Sequence, residues 1–170
     1  MQHGNIEFFT ATCLNWQHLL QEEKHKKIIL DSLTFLVDEQ RIWLYGYVIM
    51  PNHIHILWRK QDNWIEKNVQ QQFLKFTAQQ IKFNLLDTDP SKLVNFKSTQ
   101  MDRKFHFWER RPYKARSYTR DILEQKLDYM HFNPVKAGLC LLPEDYLFSS
   151  AQFYYQKLAN PILTHYMEHL

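Results

Sequence analysis

The sequence predicts an α+β fold, an antiparallel sheet with helices on one face, and three observations predict it. Short runs rich in aromatic and β-branched residues alternate with longer runs whose apolar residues recur at helical spacing. Two of the short runs are joined by Pro51-Asn52, a turn signal between strands. The runs follow in the order β-α-β-β-α-β, with one more helical run after the last.

Each element has its own signal. "NIEFFTATC" reads as the first strand. "WQHLLQEEKHKKIILDSLTFLVDEQ" spaces Leu19, Leu20, Ile28, Ile29, Leu33, Phe35 and Leu36 among charges, as an amphipathic helix does. "RIWLYGYVIM" and "HIHILWRK" are the two strands of the hairpin. "NWIEKNVQQQFLKFTAQQIKFNLL" is a second long helix, with Ile65, Val69, Phe73, Phe76 and Ile81 on one stripe. "DTDPSKLVNFKSTQMDRK" breaks that periodicity and reads as a loop, and "FHFWERRPYKARSY" holds a fourth strand. "TRDILEQKLDYMHFNP" opens on a Thr cap with an early acid and is expected to stop near Asn133-Pro134. The remaining tail packs along the surface or forms a short helix. This order is that of a ferredoxin-like or RRM-like sandwich plus a C-terminal helix. One domain over 1–170 is expected, with its core at about 5–140 and a tail at 141–170.

The bulk composition narrows the function. Hydrophobic residues make up 45% of the chain and charged residues 23%, ordinary for a folded soluble protein. No apolar run approaches a membrane span, and the start "MQHGNIEFFT" lacks the pattern of a signal peptide. Cys13 and Cys140 are too few for a disulfide framework, so a cytoplasmic, reduced protein is expected. Three glycines, Gly4, Gly46 and Gly138, cannot build a clustered phosphate loop, which argues against a nucleotide cofactor. The net charge of +3 is mild, but aromatic content of 15% is high, and bases stack on exposed rings.

The chemistry centres on two short stretches. In "MPNHIHILW", His53 and His55 are two apart on a strand and project to the same face, while Ile54 and Ile56 face the helices. A His-x-His pair suits a divalent or transition metal, yet it is also found on ordinary strands, so a third ligand is required. In "KLDYMHFNPVKAGL", Tyr129 and Asn133 share a helix face one turn apart. A tyrosine hydroxyl can attack phosphorus, and an amide oxygen is a hard ligand for Mg²⁺ or Mn²⁺. Read singly, Tyr129 is a half-buried packing residue and Asn133 a helix-end residue; together with the histidines they make a nucleophile and a three-ligand site. Tyr113 and Tyr118 are rival tyrosines, but neither has the polar residue one turn on, Tyr118 being followed by Ile122. His131 lies on another side of the helix, and His106 sits in a loop able to fold inward.

At these residues the chain resembles the single-tyrosine His-hydrophobic-His (HUH) transposases. "MPNHIHIL" resembles their histidine motif, and "DYMHFNPVKAGL" resembles the tyrosine helix of the REP-associated branch. "FWERRPYKARSY" is similar to the segment between, and the likeness runs from the first strand through Gly138. It implies that His53, His55 and Asn133 hold a divalent metal, Mg²⁺ or Mn²⁺, and that Tyr129 is the nucleophile. The implied reaction cleaves and rejoins single-stranded, hairpin-associated DNA through a 5′-phosphotyrosine link, without ATP. The resemblance also implies a bacterial protein and favours a monomer over a homodimer. The family's glycine-containing N-terminal segment is reduced here to Gly4.

"ERRPYKARSYTR" mixes cations with rings, the composition of a single-strand groove. The expected DNA contacts are Arg110, Arg111, Tyr113, Lys114, Arg116, Tyr118 and Arg120, with Lys136 following the tyrosine helix. Arg59, Lys60, Arg103 and Lys104 extend the patch, whereas Trp108 reads as a core or hinge anchor. The alternative function is a catalytically silent single-stranded nucleic-acid-binding module on the same fold, which would not need His53, His55, Tyr129 and Asn133 together. A metal hydrolase unrelated to DNA would favour a carboxylate beside the histidines, and none adjoins them.

Overall fold

The computed structural model describes residues 4–99, 101, 104–117 and 119–170. Its centre is a four-stranded antiparallel sheet of β1 (Ile6–Thr12), β2 (Ile42–Ile49), β3 (His53–Lys60) and β4 (Tyr113–Ser117) in the order β2-β3-β1-β4. Helix α1 (Glu23–Asp38) crosses from β1 to β2, and α2 (Val69–Thr88) leads from β3 towards β4. Both crossover helices cover one face. Phe9, Ala11, Ile54, Ile56 and Trp58 point to it and pack with Ile29, Leu33, Phe73 and Ile81. Trp58 is fully buried there, 4.8 Å from the Phe9 ring and 5.9 Å from the Phe73 ring between centroids.

The period-two alternation of the strands sends the other residues to the opposite face. There Ile6, Phe8, Val48 and Leu57 meet Leu123, Leu127 and Met130 of α3 (Arg120–Lys136). Gly46 lets this helix approach: a Cβ at that position would lie 2.6 Å from Leu127 Cδ2 and 3.0 Å from Met130 Cε. Helix α3 thus closes the side of the sheet that carries the histidines. Among the described residues, no helix is long and apolar enough to cross a membrane.

Four local expectations need correction. Helix α2 begins at Val69, capped by the Asn68 side chain, which accepts from the Gln71 N–H at 3.1 Å. Its buried stripe is Val69, Phe73, Thr77, Ile81 and Leu85, while Phe76 is 50% exposed. A straight i, i+4 ladder won over the i+3 step because the polar Thr77 fits the contact, donating to Leu74 O and accepting from buried Trp108 Nε1. The expected loop after α2 is partly helical, a 3₁₀ segment Pro90–Phe96 that buries Leu93 and Phe96.

Helix α3 runs through Pro134 to Lys136 instead of stopping before it. Proline removes one N–H near the end, but the turn is closed beyond it by Gly138 at φ +74°. Leu139 N–H donates to Pro134 O and Gly138 N–H to Val135 O, the paired bonds of a Schellman cap. The tail forms a short helix, one of the two outcomes expected of it, and it also joins the cores. Ile162 and Leu163 enter the first core, Tyr166 enters the second, and α4 (Ala151–Tyr155) forms within it.

Candidate functional site

Strand register assembles the floor of the site. His55 pairs with Thr10, and Thr10 pairs on its other side with Tyr113, so the three lie in one row across β3, β1 and β4. His53 pairs with Thr12 in the next row. The two imidazoles stand 4.8 Å apart between ring centroids, edge to face.

Helix α3 supplies the roof. Tyr129 sits edge-on to His55 with centroids 5.2 Å apart. One turn further on, Asn133 Nδ2 lies 3.1 Å from His55 Nε2. An amide nitrogen only donates, so Nε2 accepts and the His55 proton resides on Nδ1. From there it is donated to Thr10 Oγ1 at 2.7 Å. His53 Nδ1 lies 2.7 Å from Asn52 Oδ1, an acceptor only, which puts its proton on Nδ1 as well. Both histidines therefore keep Nε2 as the lone-pair nitrogen. Phe8 stacks on His55 at 5.5 Å and meets Tyr129 edge-on at 6.5 Å, which dries the inner wall.

Burial sets the charge state of the pair. His53 is held down to about 4 by desolvation. His55 falls to about 3, from desolvation first and then from the like charges of His53 and Lys126. Both rings are neutral at physiological pH, the state in which imidazole binds a metal. Half a turn of the Asn133 amide presents Oδ1 in place of Nδ2. Two imidazole nitrogens and one amide oxygen, with Thr10 and Asn52 orienting the rings from behind, then fit a divalent cation. Among the described residues, no three His, Cys, Asp or Glu side chains converge, so an amide is the third donor available to the pair.

The expected DNA-contacting residues are divided by the fold. Tyr113 is 57% exposed beside the site, edge-on to Phe8 at 6.4 Å. Lys136 Nζ lies 5.9 Å from the centre of the Tyr129 ring. Arg110 and Arg111 are exposed in the bend that leads into β4. Lys114 and Arg116 pair with Phe9 and Glu7, so the pleat directs them to the other face from Tyr113. Lys114 Nζ is 3.1 Å from Glu7, a carboxylate buried under the sheet that also accepts from Trp58 Nε1. Arg120 is committed to Glu124 at 2.7 Å, on the first turns of α3. Tyr118 and Arg103 lie outside the described residues. His131 is buried and turned away, 2.7 Å from Ser150 Oγ, and the His106 N–H donates to Phe96 O.

Sequence reasoning missed several neighbours of the site. Lys126 Nζ sits 4.8 Å from the Phe8 ring centre and 5.6 Å from that of Tyr113. It lies three residues before Tyr129, a helical spacing that could have exposed it. Thr10 and Phe8 are found only through strand register, which no local pattern states.

No protein-family model matches the chain, and no curated protein resembles it in sequence. Its fold is shared by a solved structure, a REP-associated tyrosine transposase bound to a REP hairpin. The TM-score is 0.65 over 96% of this chain and 84% of that one, at 16% identity. The likeness is one of fold.

Proposed function

We propose that this chain is a metal-assisted DNA strand transferase of the single-tyrosine type, a REP-associated transposase relative that cleaves and rejoins single-stranded, hairpin-associated DNA. One observation carries the reading: Tyr129 and Asn133, one turn apart on α3, converge on His55 and its partner His53. The fold likeness supports it, since that transposase was solved with a DNA hairpin.

In this reading His53, His55 and Asn133 hold Mg²⁺ or Mn²⁺, which when bound polarises the scissile phosphate. The Tyr129 hydroxyl gives up its proton as its oxygen bonds to phosphorus. The bond from phosphorus to the 3′-oxygen breaks, and that oxygen takes up a proton to leave as a 3′-hydroxyl. A second 3′-hydroxyl reverses the step and rejoins strands, so no nucleotide cofactor is used. Lys126 and Lys136 flank the tyrosine and draw the phosphate backbone to it. A monomer acting in a bacterial cytoplasm completes the proposal.

The test is a denaturing gel of labelled hairpin DNA incubated with the protein and Mg²⁺ or Mn²⁺. A metal-dependent covalent band that is absent with Tyr129→Phe is expected. DNA retarded on a native gel, with no covalent band from any of several hairpins, would instead identify a silent binding module.

A further inference from the structure

Trp16 is a large aromatic side chain that neither core uses. Trp58 and Trp108 are buried, and Trp43 and Trp64 are half-buried, but Trp16 is 62% exposed. A single exposed ring needs no explanation by itself. Here three observations coincide.

First, the backbone is strained to present it. Asn15 at φ 55° and Trp16 at φ 56° occupy the left-handed region in succession, a conformation Asn tolerates but a bulky residue such as Trp seldom adopts. Second, the turn is tied down. The Asn15 N–H donates to Glu109 Oε1 at 2.6 Å, the Leu14 N–H to Phe107 O at 2.8 Å and the Trp16 N–H to Cys13 O at 2.9 Å. Third, the ring stands edge-on to His53, with centroids 6.1 Å apart. The turn follows directly on Thr12, the register partner of His53, so it lies at the histidine end of β1.

We propose that Trp16 is a stacking platform for an unpaired base of single-stranded DNA, and that it holds the nucleotide beside the phosphate received by the histidine pair. The inference rests on the strand-transferase reading of that site. An indole face is sequence-tolerant, because every base has a π-face to offer it. Tyr113, exposed in the His55–Thr10 row, gives the site a second open ring towards β4. Rings on two sides splay bases apart, and Lys126 and Lys136 take the phosphates between them.

The experiment is fluorescence anisotropy with a labelled short oligothymidylate and with an abasic oligomer of equal length, both in EDTA so that no strand is cut. Stacking predicts that Trp16→Leu weakens oligothymidylate binding about tenfold and leaves abasic binding unchanged. Trp16→Phe, which keeps a ring, should stay within about threefold of the wild type. Equal affinity of Trp16→Leu and wild type for oligothymidylate overturns the inference, as does equal weakening for both oligomers. Because no covalent step is read, the result separates from the fate of Tyr129. Stacking without any covalent band keeps the platform on a binding module, and a covalent band without stacking removes the platform alone.

Discussion

Thr10 and Asn52 each receive an Nδ1–H from a histidine, and those two bonds decide which nitrogen faces the site. Thr10→Val keeps the shape of the strand and removes the acceptor behind His55. On the proposed metal-binding reading a loss of about 10- to 100-fold in Mn²⁺ affinity is expected by calorimetric titration, with a stability loss of about 1–3 kcal/mol for the Nδ1–H left unpaired. An unaltered affinity would mean that Thr10 does not orient the ring. Burial of histidines also makes stability depend on pH. His53, His55 and His131 are held near 4, 3 and 4 by desolvation, below their unfolded value of 6.5. Between pH 6.5 and 4.5 the unfolded chain takes up protons that the folded one refuses, so stability is full above 6.5 and falls as pH falls. His131→Gln should make that slope shallower by about 1 kcal/mol per pH unit, read from urea unfolding in metal-free buffer. A slope unchanged by this substitution would show that His131 is not held neutral. That Tyr129 and Asn133 share one face of α3 was legible in the sequence, because a helix repeats every turn. Thr10 was not, since its place depends on which residue of β1 faces His55 across the sheet.

Helix α3 is the element that makes the site, and its position is set by a glycine on a strand. Leu127 and Met130 are only 4% and 0% exposed, and a methyl at Gly46 would meet Leu127 Cδ2 and Met130 Cε, so both end groups must shift within the second core. Gly46→Ala is expected to destabilise the protein by about 1–3 kcal/mol through overpacking. It should also lift Tyr129 from His55, which on the proposed strand-transferase reading cuts the rate of covalent-link formation more than DNA affinity. Equal stability and rate would show that the side chains give way freely. The strands and the two crossover helices were readable from their periods, and the end of α3 was not. Proline is a stop signal because it clashes with the preceding turn, yet here the turn after it closes on Gly138, whose positive φ the sequence does not announce. The stripe of α2 was misjudged at Phe76 for a related reason: hydrophobicity alone cannot tell that Thr77 has polar partners waiting inside.

At the scale of the molecule, the last thirty or so residues complete both layers and guard an edge. Strand β2 is the outer strand on its side of the sheet, an invitation to pairing between molecules. The tail occupies that edge: Ile49 N–H donates to Phe148 O, Ser150 N–H to Tyr47 O, and Thr164 N–H to Leu44 O. Tyr166, 6% exposed, covers the second face, and its hydroxyl donates to Glu124 on α3 at 2.6 Å. The expectation of a surface segment or a short helix holds at α4, while the rest of the tail follows a strand edge, which no local period announces. Deleting residues 161–170 removes Ile162, Leu163 and Tyr166 from the two cores at once. Each such side chain is worth roughly 1.5–3 kcal/mol when fully buried, so the sum is a large share of the ~5–15 kcal/mol that holds a domain folded. The truncated chain is expected to unfold at markedly lower urea and to form higher-mass species, seen by light scattering after size exclusion, as the Leu44 end of the β2 edge, which Thr164 no longer covers, finds other copies. A monodisperse product with the full-length midpoint would mean that the sheet and α3 stand without the tail, and would support the expected boundary near residue 140.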